Sequence, residues 1–120
     1  MIEELVSRVF ALRNAAHLAH WSAKGPGSFA RHAALGDFYD GVIDRVDGIV
    51  ECYQGCYGLI GEVKQTTYAR DDIEDVLVAN ANWIAENREK IARDNEIIEN
   101  LLDDLGGLFA KTAYKLRFLQ

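Results

Sequence analysis

The chain has 120 residues, 49% of them hydrophobic, with 13 Lys+Arg against 19 Asp+Glu and a formal charge of -6. That length supports one ordinary domain with a sizeable core and leaves no room for a second. The acidic balance disfavours electrostatic binding to DNA, RNA or an anionic membrane, and no apolar run approaches the ~20 residues that span a bilayer.

Helical periodicity dominates from the start. Ile2, Leu5, Val6, Val9, Leu12, Ala16 and Ala19 recur at steps of three and four, which predicts an amphipathic helix over about 2–23. Its opening, MIEELVSRVF, begins with acids rather than a basic segment and does not read as a secretory signal. Lys24-Gly25-Pro26-Gly27-Ser28 ends the helix, and Ser28 is expected to cap the next one. The second helix is predicted over about 29–61, with Leu35, Tyr39, Val42, Val46, Ile49 and Tyr53 as its apolar stripe. Gly41, Gly48 and Gly55 recur every seven residues within it, a pattern that suits close approach of another helix.

Residues 62–71 are polar and mixed and read as a connection. Asp71 or Asp72 is expected to cap a third helix over about 72–92, built on Ile73, Val76, Leu77, Trp83, Ile84 and Ile91. Arg93-Asp94-Asn95 signals a turn. A fourth helix follows over about 95–119, with Ile98, Leu101, Leu102, Leu105, Phe109, Leu116 and Phe118 as its apolar residues and Gly106-Gly107 as a point of bending. Four helices with short joins predict an all-α four-helix bundle.

The polar residues carry the functional signal. Asp37, Asp40, Asp44, Asp47 and Glu51 step by three and four along one face of the second helix. Like charges so placed repel, and a partner's cations or a bound metal would relieve them. The three histidines, His17, His20 and His32, all lie in the first third of the chain. Imidazoles near carboxylates suit a first-row transition metal, and a carboxylate-rich set suits iron or manganese. Cys52 and Cys56, four apart, are too far along a helix for an unstrained bridge and read as buried, reduced thiols. No nucleophile elbow, P-loop or dinucleotide fingerprint is present.

The stretch His20-Trp21-Ser22-Ala23-Lys24-Gly25-Pro26-Gly27-Ser28-Phe29-Ala30-Arg31-His32, followed by Asp47 and Glu51 fifteen and nineteen residues beyond the second histidine, resembles the signature of the Dps family of starvation-induced mini-ferritins. The last helix is similar as well. The resemblance implies a ferritin-like four-helix bundle with a shortened connection between helices two and three. It also implies a homo-oligomer, a dimer at least and a dodecamer in the usual family shell, with iron (Fe2+ or Fe3+, or another divalent metal) bound between subunits. His20 and His32 would come from one subunit, Asp47 and Glu51 from the other, with Trp21 beside them. Ferrous iron would be oxidised there, typically by hydrogen peroxide, for iron storage or peroxide detoxification.

The chain departs from the pattern at Gly36, where the family usually has an Asp, and His17 and Asp40 are the candidates to replace that ligand. The Lys-rich tail that contacts DNA in the family is missing. Short domains of this build resemble phage-encoded proteins. The expected setting is therefore cytoplasmic, in a host cell or a virion. The alternative expectation is a degenerate Dps-like structural or virion-associated protein without ferroxidase activity.

Overall fold

The computed structural model describes residues 1–70 and 72–119, and every one of its regular elements is an α-helix. They are α1 (Ile2–Ser22), α2 (Ser28–Tyr57), α3 (Ile73–Ala92) and α4 (Glu96–Phe118). The expected capping by Asp71 falls outside the described residues; Asp72 is the N-cap of α3 but makes no side-chain capping bond. Ser28 is the first residue of α2 rather than its cap. That position falls to Gly27, in a left-handed conformation (φ 78°) that glycine adopts without steric cost.

The apolar stripes meet in one continuous core. Ile2, Leu5, Val9, Leu12 and Ala16 from α1 pack with Leu35, Phe38, Val42, Val46 and Ile49 from α2, and with Ile73, Leu77, Ile98, Leu102 and Phe109 from the other two helices. Phe38 and Phe109 meet edge to face, with centroids 5.3 Å apart, and close the seam between α2 and α4. Phe118 does not join this core. At 71% exposed it stands in solvent on the last residue of α4. α4 runs as one continuous helix through Gly106-Gly107. Among the described residues, no helix is long and apolar enough to cross a membrane.

Side-chain contacts fix the direction of each helix. Arg45 pairs with Asp104 and Lys115 with Asp37, so α2 and α4 run antiparallel. Asn95, at the turn between α3 and α4, contacts Cys56 and Tyr57 at the end of α2, while Arg117 pairs with Glu74 at the opposite end. α3 therefore starts at the far end of the bundle from where α2 stops. The segment after Tyr57 travels the length of the bundle as an extended strap. The Gly61 N–H donates to Glu3 (2.8 Å) and holds that carboxyl below the ordinary range; Ser7 donates to the Lys64 carbonyl; Tyr68 donates to Asn80 (3.3 Å). This single long crossover makes α2 and α3 parallel. α2 ends at Tyr57 rather than near 61 because Gly58 takes φ 98°, which closes the helix and frees more chain for the crossing.

Asn80 ties the strap to two helices. It is 3% exposed, accepts from Arg8 (3.2 Å) and Tyr68, and donates to the Val76 carbonyl (2.8 Å). Asn80→Ala would leave those donors without their acceptor. The expected loss is about 1–3 kcal/mol, read from the urea midpoint; an unchanged midpoint would show that water replaces the amide. Between α3 and α4, Arg88 forms a two-pronged bridge to Asp103 (2.6 and 2.8 Å), which holds that carboxyl below its usual range, and also reaches Glu99.

Candidate functional site

The end of α1 and the start of α2 are joined by a five-residue turn, residues 23–27, and this brings His20 and His32 face to face. Their rings stack with centroids 3.5 Å apart and planes 20° from parallel. Nδ1 of His20 lies 2.6 Å from the carbonyl oxygen of His32, and Nδ1 of His32 lies 2.9 Å from the carbonyl oxygen of His20. A carbonyl oxygen has no proton to give, so both Nδ1 atoms donate. In the neutral rings this leaves both Nε2 atoms as the lone-pair nitrogens. A ring whose one nitrogen donates to a backbone carbonyl while the other is free for a metal is the usual arrangement of a ligating histidine.

Gly36 belongs to the same construction. A Cβ placed on it would sit 3.1 Å from Cε1 and 3.3 Å from Nδ1 of His20. The His20 ring therefore lies over position 36, and a side chain there would have to push it aside by a few tenths of an ångström. Gly36→Asp is expected to displace the ring, weaken its carbonyl bond and cost about 1–2 kcal/mol. Chemical denaturation checks this; a variant as stable as the parent would show that the ring moves aside freely.

His17 does not reach the pair as a third ligand. Its ring stacks on Tyr39 (centroids 3.9 Å, planes 13° apart) and touches Trp21 (4.4 Å), and its centroid is 6.3 Å from that of His20. Tyr39 also carries the Arg13 guanidinium, 5.3 Å from its ring centre. Trp21 is exposed beside the histidines. The role of Tyr39 as a wall for His17 had no separate signal in the sequence, where it reads as one more member of the apolar stripe.

Asp47 and Glu51 are exposed on α2, as are Asp40 and Asp44, and none of the four enters an ion pair or side-chain hydrogen bond among the described residues. Asp37, in the same stripe, pairs with Lys115 at 3.5 Å. Fifteen residues of helix separate His32 from Asp47, about 22 Å along the axis at ~1.5 Å per residue. One chain cannot bring both pairs to one ion. Accordingly, no group of three or more metal-ligating side chains forms among the described residues. A hollow of about 420 Å³ opens between Glu3, Ser7, Glu62 and Lys64 at the other end of the bundle, and no histidine lines it.

A family of unknown function, DUF5856, matches residues 20–116. The chain belongs to that family. The DUF5856 match opens on His20 and runs past His32, Gly36, Asp47 and Glu51, so the histidine pair and the carboxylate pair both fall inside the matched residues. No curated protein and no solved structure matches this DUF5856 member.

Proposed function

We propose that the chain is an iron-binding homo-oligomer that oxidises Fe2+ at a site shared between subunits, with His20 and His32 from one and Asp47 and Glu51 from the next. The reciprocal bonding of the histidines carries the reading, because it presets both Nε2 atoms as ligands before any metal arrives. The single long crossover, a feature of ferritin-like bundles, supports it further. So does the pair of unpartnered carboxylates four residues apart on α2. Gly36 leaves the second-metal position of the Dps pattern without its Asp, which favours one iron per site. The reading carries a cytoplasmic setting, in a host cell if the source is a phage, and no role for DNA.

The second reading is a structural or virion-associated protein of the same build. One observation favours it: the two histidine–carbonyl bonds also staple the end of α1 to the start of α2, a job that needs no metal. Titrating Fe2+ into the metal-free protein, then adding peroxide and separately oxygen, separates the two. Saturable binding with oxidation faster than in buffer is expected. Absence of binding together with an unchanged oxidation rate would leave only the structural role.

A further inference from the structure

Cys52 and Cys56 are free thiols on successive turns at the end of α2, but they are not the buried pair that the sequence suggests. Cys52 is half-buried and Cys56 is exposed. Cys56 faces the start of α4. There Asn95 uses its side-chain oxygen to cap the helix, accepting from the Ile97 and Ile98 N–H groups (3.0 and 3.3 Å). That anchoring aims the amide nitrogen outward, where it donates to Cys56 Sγ (3.7 Å) and to the Tyr57 hydroxyl (3.5 Å). The positive end of the α4 dipole and the Arg93 guanidinium, 4.1 Å above the Tyr57 ring, lie at the same corner. The Asn95 N–H therefore meets the Cys56 sulfur at the corner where α4 begins. Cys52, one turn earlier on α2, is half-buried and its thiol lies within hydrogen-bonding reach of Cys56.

We propose that Cys52 and Cys56 form a two-coordinate site for a soft monovalent cation of the copper(I) class, at the corner between α2 and α4. Side chains four apart on a helix have Cβ atoms ~5–6 Å apart, too far for an unstrained disulfide, whose Cβ atoms lie at about 3.5–4.5 Å. Two metal–thiolate bonds laid end to end, at the ~2.3 Å known for zinc, span roughly 4.6 Å, which these side chains can bracket. Thiolates select soft ions over hard ones. No third ligand is gathered here among the described residues, so ions that need four ligands are poorly served. Binding Cu+ by two thiols forms two Cu–S bonds and releases two protons to solvent. The product is an anionic dithiolate complex, whose excess charge faces the Asn95 N–H and the α4 N-terminus. The site is independent of the histidine pair at the other end of α2.

The test is to titrate Cu(I) into the reduced full chain, free of oxygen, against a chromophoric copper(I) chelator. One copper per chain should be withheld from the chelator. Cys52→Ser and Cys56→Ser should each weaken binding at least hundredfold with the helical circular dichroism unchanged. Asn95→Asp, which keeps the capping oxygen but removes the donor, should weaken it about tenfold. His20→Ala and His32→Ala should leave it intact. Surrender of all copper by the parent chain, or equal retention by the serine variants, would overturn the assignment.

Discussion

His32→Ala and Glu51→Ala are each expected to abolish iron oxidation, with a loss of two orders of magnitude or more, since even a residue that merely supports a metal ligand costs about 10–100-fold when removed. The informative experiment mixes the two inactive variants. If the proposed site forms in a two-fold dimer, each site would take its histidines from one chain and its carboxylates from the other. A mixed dimer therefore has one site with both defects and one with neither. Random exchange of equal amounts gives half mixed dimers, each with one of two sites intact, so about a quarter of the parent activity should return. No recovery after verified subunit exchange would mean that the histidines and carboxylates do not meet across an interface. The test rests on the ~22 Å of helix between His32 and Asp47, which rules out a site within one chain.

Phe38→Ala should produce the largest loss of stability. Its ring is fully buried against Phe109 where α2 crosses α4, and the other side of α2 at that level carries Tyr39 and the histidine cluster. Removing a buried aromatic ring costs about 3–5 kcal/mol through lost transfer energy and the cavity left behind. That is a large share of the ~5–15 kcal/mol that holds an ordinary domain together. A shift in the urea midpoint equivalent to less than 1 kcal/mol would show that the seam collapses to fill the gap. Because α2 positions His32, the same variant should also lose any iron-dependent activity at temperatures where the parent is unaffected.

The helices were legible in the sequence because burial imposes its period on residue type. The first stripe, from Ile2 to Ala19, is buried throughout, and most inward positions of the other three helices follow. What the periodicity could not resolve were the ends. Gly58 stops α2 before the apolar signal stops, and Phe118, nine residues after Phe109 and so about 180° round the helix from it, points away from the core. The cysteines misled for a related reason: thiols are usually buried, but these sit where α2 leaves the bundle's shelter. The His20, His32, Asp47 and Glu51 candidates could be named only from the resemblance to the Dps signature. The carbonyl bonds that set the tautomers could not, because they depend on how two helices meet. Gly36 stands where the Dps signature has an Asp, and the closeness of the His20 ring to it depends on how α1 and α2 meet, which spacing does not show.

The long crossover also governs how this chain reaches its fold. The pairs α1–α2 and α3–α4 are local hairpins that can form early from neighbouring residues. Everything that joins the two hairpins is remote: Ser7 meets Lys64 across 57 positions, and Arg8 meets Asn80 across 72. The entropy of closing those loops must be met before the strap and its latch return anything. A bundle of the same size with short joins throughout would avoid that step, so this one should assemble more slowly, with docking of two preformed halves as its slowest event.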